Sequence, residues 1–76
     1  MDEREIKEIL AEALGMPAAD IPDDAKQGEF EKWDSVRHLN FVVALEKKFD
    51  IEFEPEEIAE IRTLGEVAAV VETRRR

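Results

Sequence analysis

The chain contains no cysteine, and this absence excludes several kinds of chemistry at once. Without a thiol it can form no disulfide, no thiolate metal site and no cysteine nucleophile. Tyrosine is also absent, and there are only three glycines, three prolines, one tryptophan and one histidine. No apolar run is long enough to span a membrane, and the acidic first residues, Met-Asp-Glu-Arg-Glu, are unlike a basic signal sequence. We therefore expect a cytoplasmic protein without membrane insertion.

Negative charge is what the chain has in excess. Its 76 residues include 20 acidic and 11 basic side chains, for a net charge of −9, and 43% of them are hydrophobic. A chain of this length forms one domain, residues 1–76, and folding buries only about 60% of its surface. We expect a monomer that repels nucleic acid and attracts basic partners, although simple solubility would account for the same charge.

Apolar residues at helical spacing predict an amphipathic first helix. Asp2 and Glu5 have the spacing of a capping box, and Gly15 ends the helix. Residues 16–34 form a long connection, whose few apolar residues we expect to hold it against the core rather than to act in function. The inward-facing residues of the helix are Ile6, Ile9, Leu10, Ala13 and Leu14, and those of the connection are Ile21, Phe30 and Trp33.

Three further helices are predicted in the rest of the chain. The second covers residues 35–49, and the alternating segment 50–54 has no partner strand, so we expect an extended linker. Pro55 suits the first position of a short third helix, and Thr63 with Glu66 forms a capping box for the last. The positive charges of the terminal arginines 74–76 are expected to interact favourably with the negative C-terminal end of that helix. The fold class is therefore all-α: a small four-helix bundle of three longer helices and one short helix, with a long loop between the first two.

The second helix carries a wider apolar stripe than its core contact requires. At about 100° per residue, its core side contains His38, Phe41, Val42, Leu45 and Phe49. A second group extends the stripe onto the surface, and we name it the apolar strip: Val36, Leu39 and Val43. Polar neighbours border this strip, namely Arg37, Asn40 and Lys47. Such a strip is typical of a docking surface, and the alternative is that the long loop covers it.

Ser35 stands where this helix begins, directly after Asp34. A hydroxyl in the first turn is exposed and faces the positive end of the helix dipole, which favours a phosphate group. The alternative is that Ser35 is a simple helix cap.

Three segments carry a resemblance to a known family. They are Asp34-Ser35-Val36 at the helix start, the run 44–53 (Ala-Leu-Glu-Lys-Lys-Phe-Asp-Ile-Glu-Phe), and Pro55-Glu56-Glu57 followed by Ile61-x-Thr63. Together they resemble the acyl carrier proteins over nearly the whole chain. The resemblance implies a four-helix bundle that is not an enzyme. It also implies that a separate phosphopantetheinyl transferase moves 4′-phosphopantetheine from coenzyme A to Ser35, with Mg²⁺ that Asp34 helps to bind.

By this resemblance the chain carries an acyl or aminoacyl group as a thioester and presents it to enzymes of fatty-acid, polyketide or related biosynthesis. A thioester needs a thiol, which this chain lacks, so the prosthetic group must supply it. The implied partners are the transferase, a loading ligase or synthase, and acyl-transferring enzymes with basic docking surfaces. We expect Glu56 and Glu57 to join the second helix in binding them. Small core residues that would flex around an acyl chain are Val42, Ile61 and Val67.

Four residues around Ser35 depart from the family pattern. Trp33 replaces a small residue or glycine, and Val36 replaces the common leucine. Arg37 and Asn40 stand where the fatty-acid carriers have acids, which basic partner enzymes contact. We therefore predict a specialised stand-alone carrier, whose cargo the sequence leaves open among fatty acyl, hydroxyacyl, polyketide and amino acid.

Two other classes of function are considered. An unmodified acidic helical adaptor that binds a basic partner is the main alternative. An enzyme is disfavoured, because the chain offers no nucleophile–base pair. We expect His38 to be a partly buried, hydrogen-bonded residue, since no cysteine or second histidine is available for a metal site. The acids at positions 20, 23 and 24 lack the spacing of a calcium-binding loop.

Overall fold

A computed structural model describes residues 3–74 and shows the predicted helical fold. The helices are α1 (Glu3–Leu14), α2 (Ser35–Phe49), α3 (Pro55–Glu60) and α4 (Leu64–Arg74). No β-strand forms within residues 3–74, and the segment 51–54 has no regular secondary structure. Asp50, expected to begin the extended linker, instead ends α2 in a left-handed turn with a φ of 55°. The proposed cap at Asp2 and the last two arginines, Arg75 and Arg76, lie outside the described residues.

The core lies between α1, α2 and α4, and the loop between α1 and α2 contributes to it. Trp33 and Ile21 from this loop are buried, which confirms that they hold it against the bundle, whereas Phe30 is only partly buried. Ala13 also packs at the edge of the core. The largest fully buried side chains include Ile6, Leu10, Phe41, Leu45, Ile61, Leu64, Val67 and Val71.

Local signals in the sequence define the ends of these helices. Gly15 follows α1 with a φ of 70°, a left-handed conformation that glycine adopts without strain. Thr63 and Glu66 form the predicted capping box: the Glu66 N–H donates to Thr63 Oγ1 at 3.2 Å, and the Thr63 N–H donates to Glu66 Oε1 at 3.1 Å. A second reciprocal cap begins α3, where the Glu54 N–H donates to Glu57 Oε1 at 2.8 Å.

The long loop is tied to the connection between α3 and α4. The Gln27 N–H donates to the Arg62 carbonyl at 2.8 Å, and Lys26 and Thr63 form an isolated antiparallel bridge. The loop then turns at Gly28, whose N–H donates to the Trp33 carbonyl at 3.0 Å. These contacts place the loop beside the start of α2.

The helices of the described segment are too short and too polar to cross a membrane.

Candidate functional site

Ser35 is the first residue of α2, and its side chain is exposed. The helix cap is Asp34, whose Oδ1 accepts a hydrogen bond from the Arg37 N–H at 2.9 Å. Within residues 3–74 the Ser35 hydroxyl forms no hydrogen bond. The simple-cap interpretation of Ser35 is therefore wrong, because the residue before it already fills that role.

Asp34 and Arg37 form an ion pair at the edge of this site. Arg37 Nη1 donates to Asp34 Oδ2 at 2.8 Å, so both carboxylate oxygens of Asp34 are engaged. The backbone N–H of Arg37 lowers the pKa of the Asp34 carboxyl, and the Arg37 guanidinium lowers it further. The positive charge of Arg37 is thus partly neutralised, and its repulsion of a basic partner is weaker than the sequence alone suggests.

The apolar strip on α2 lies open to solvent. Val36 is 69% exposed, Leu39 55% and Val43 48%, and the long loop does not cover them. Asn40 and Lys47 beside them are exposed as well. The predicted exposure is confirmed, whereas partner binding by this strip stays a prediction.

His38 has a structural role beneath the site. Trp33 Nε1 donates to His38 Nδ1 at 3.0 Å, and His38 Nε2 lies 2.9 Å from the Ile58 carbonyl oxygen. The neutral ring with its proton on Nε2 satisfies both bonds, so His38 connects the loop, α2 and α3. The expected hydrogen bonding of His38 is confirmed, and the residue is buried rather than partly buried. Trp33 also packs edge-on against Phe41, with ring centroids 5.8 Å apart.

A cleft of about 380 Å³ opens beside Ser35. Its walls are formed by α2, by α3, by the long loop at Gln27 and by the α3–α4 connection at Arg62. A backbone hydrogen bond between Gln27 and Arg62 joins the last two segments. Sequence reasoning missed Gln27 and Arg62, because only the folded loop brings them together. The small residues expected to flex around an acyl chain lie in the core and do not line this cleft. Its lining residues are Gln27, Ser35, His38, Leu39, Pro55, Ile58, Ala59 and Arg62.

Of the two glutamates expected to bind partners, only Glu56 is fully exposed. Arg74 Nε donates to Glu57 Oε2 at 3.2 Å, and Glu57 also accepts the bond that caps α3. The hydrogen bond from Arg74 lowers the pKa of Glu57 most, followed by the one from the Glu54 backbone. Glu57 is thus engaged within the bundle, which leaves Glu56 as the more available partner contact. No cluster of three or more acidic or histidine side chains within residues 3–74 is arranged to hold a metal ion.

A family model described as the phosphopantetheine attachment site matches residues 4–71. The chain is also 36% identical over 69 residues to an acyl carrier protein of Wolinella succinogenes, and the match covers 91% of each chain. The chain belongs to the acyl carrier protein family. It is 33% identical over 70 residues to an acyl carrier protein of an Exiguobacterium species, covering 92% of this chain and 89% of the relative. It is 29% identical over 72 residues to an acyl carrier protein of Chlamydia caviae, covering 95% and 94% of the two chains.

Members of this family are carriers rather than enzymes, and their prosthetic group is 4′-phosphopantetheine. The residues present at the start of α2 fit that group. Ser35 offers an exposed hydroxyl that forms no hydrogen bond with the described part of the chain, the helix dipole favours a phosphate there, and an open cleft adjoins it.

Proposed function

We propose that Ser35 of this acyl carrier protein is the attachment point of 4′-phosphopantetheine. The observation that carries the proposal is the exposed hydroxyl of Ser35 at the first position of α2, which has no hydrogen-bond partner among residues 3–74 and lies next to a cap supplied by Asp34. Ser35 is also the only serine in the chain, and the two other aliphatic hydroxyls, Thr63 and Thr73, both form hydrogen bonds within the bundle. When bound, the prosthetic group supplies the thiol on which an acyl or aminoacyl cargo is carried.

The residues around Ser35 prepare it for modification. The α2 dipole stabilises the negative charge of a phosphodiester at this position. Asp34 would repel that charge, but Arg37 lies 2.8 Å from its carboxylate and offsets the repulsion. We propose that Asp34 also contacts Mg²⁺ during modification, which requires the carboxylate to exchange its bond with Arg37 for the metal.

The apolar strip on α2 is the surface we propose for partner enzymes. Val36, Leu39 and Val43 supply apolar contact area, and Asn40 and Lys47 supply polar contacts at its edge. The partners are a phosphopantetheinyl transferase, a loading ligase or synthase, and acyl-transferring enzymes that meet the acidic chain with basic groups. We propose that the chain acts as a carrier in the cytoplasm, in a specialised pathway of fatty-acid, polyketide or related biosynthesis.

Intact mass spectrometry tests the attachment. The purified chain is incubated with coenzyme A, Mg²⁺ and a broad-specificity phosphopantetheinyl transferase. We expect the native chain to gain the mass of one phosphopantetheinyl group and Ser35→Ala to gain none. Thr73→Ala, which removes a hydroxyl on α4, serves as the matched control and should be modified like the native chain.

The alternative, an unmodified acidic adaptor, makes the opposite prediction. A native chain that shows the circular dichroism of a folded helical bundle but gains no mass would support the adaptor and reject the carrier.

A further inference from the structure

The cleft beside Ser35 is lined by one cation that has no ion-pair partner within residues 3–74. Arg62 is the one residue in its lining that carries a full formal charge. The cations Lys7, Lys26, Arg37 and Arg74 each pair with a carboxylate. Arg62 forms no ion pair with any residue from 3 to 74, and among the described cations that share this property, Arg4, Lys32, Lys47 and Lys48, it is the one that lines this cleft. A guanidinium that lines a cleft and has no ion-pair partner within residues 3–74 is available to bind an anion there.

Backbone contacts fix the position of Arg62. Its N–H donates to Glu66 Oε1 at 3.0 Å, and its carbonyl accepts a hydrogen bond from the Gln27 N–H at 2.8 Å. The guanidinium extends towards the loop, because a Cβ atom placed on Gly28 would lie 3.9 Å from its Nη2. Arg62 and Gln27 are thus held as neighbours by the backbone, and both residues line the cleft.

The chemistry of the cleft indicates what it binds. Half of its eight lining residues are apolar, namely Leu39, Pro55, Ile58 and Ala59. A guanidinium provides several N–H donors and no acceptor, and its planar fork matches the oxygens of a carboxylate or phosphate. A partly apolar cleft with such a group suits a ligand that is partly apolar and ends in an anionic oxygen group.

We infer that Arg62, assisted by Gln27, binds an anionic oxygen group borne by the arm on Ser35. The inference rests on the proposed attachment at Ser35, which lines the same cleft. The anion has two possible sources, which are the phosphodiester of the arm itself and a carboxylate at the free end of the cargo. In the second case the cargo is the half-thioester of a dicarboxylic acid.

Three forms of the protein distinguish these sources. The first carries the arm alone, the second carries a butanoyl group, and the third carries a succinyl group, which has the same carbon number but ends in a carboxylate. Each form is prepared for the native chain, for Arg62→Gln and for Lys48→Gln. Lys48 is an exposed cation near the far end of α2 and does not line the cleft, so its variant controls for the loss of one positive charge.

Two measurements are made on these forms. If Arg62 binds the phosphodiester, the ³¹P resonance of the arm-only form shifts in Arg62→Gln and is unchanged in Lys48→Gln. If Arg62 binds a cargo carboxylate, the native succinyl form melts roughly 2–4 °C above the butanoyl form, and Arg62→Gln abolishes this difference. Arg62→Lys keeps the positive charge but lacks the planar guanidinium, so it should retain part of the native ³¹P shift or of the native melting difference. If Arg62→Gln does not fold, Arg62→Lys takes its place in both measurements.

The inference is overturned if neither the ³¹P resonance nor the melting difference depends on Arg62. Intact mass, measured first, separates this failure from that of the proposed function. A native chain that gains no arm contradicts attachment, whereas a chain that gains the arm but shows no dependence on Arg62 contradicts only this inference.

Discussion

At the scale of single residues, Asp34 and Ser35 divide two roles that the sequence offered as alternatives for Ser35. Asp34 caps α2, and Ser35 keeps an exposed hydroxyl. Arg37 completes the arrangement by pairing with Asp34 at 2.8 Å. The charge that a partner enzyme meets beside Ser35 is therefore that of an ion pair, not of an isolated arginine.

Arg37→Glu tests how this charge affects the choice of partner. The substitution replaces the ion pair by two neighbouring carboxylates, and we expect it to improve recognition by fatty-acid synthesis enzymes with basic surfaces. The measurement is the rate at which such an enzyme acylates the modified carrier, compared with Arg37→Ala, which removes the positive charge without adding a negative one. A variant that reacts no faster than the native chain would contradict our interpretation of Arg37.

The Trp33–His38 hydrogen bond gives a second prediction for single residues. His38→Leu leaves the buried Trp33 N–H without its acceptor, so we expect the free energy of unfolding to fall by about 1–3 kcal/mol. Urea denaturation monitored by circular dichroism measures this change. The control is a double-mutant cycle with Trp33→Phe. Because both substitutions remove the same Trp33–His38 hydrogen bond, the double variant should lose less stability than the sum of the two single variants. Fully additive losses would mean that the bond contributes nothing to stability.

At the scale of secondary-structure elements, the sequence predicts most of the fold. The apolar spacing of α1 and α2 and the Thr63–Glu66 cap of α4 are local signals, and each is confirmed. The cleft was missed, because Gln27 and Arg62 are 35 positions apart in the chain and meet only after the loop packs against the α3–α4 connection. Likewise, nothing in the spacing of Trp33 and Ile58 shows that both bind the same histidine.

The apolar strip leads to a prediction at this scale. Val43 is 48% exposed, so Val43→Glu should leave the melting temperature nearly unchanged. It should nevertheless weaken binding to a loading enzyme by about tenfold, because a charge replaces apolar contact area in the interface. Titration calorimetry or surface plasmon resonance gives the affinity, and Ala69→Glu, at an exposed position on α4, is the matched control. If both variants bind as tightly as the native chain, partners dock elsewhere.

At the scale of the whole molecule, size and charge agree with a carrier. A chain of 76 residues, whose core within residues 3–74 lies between α1, α2 and α4, leaves little space for an enclosed active site. Its net charge of −9 favours encounter with basic partners. The lack of cysteine means that any thioester must be formed on an added group, and the single serine defines one position for it.

Locating the added group is the most direct test of this account. The native chain, after reaction with coenzyme A and the transferase, is fragmented in a tandem mass spectrometer. We predict one phosphopantetheinyl group per chain, with every fragment that carries it containing Ser35. A folded native chain without the group, or with the group on a residue other than Ser35, would contradict the account.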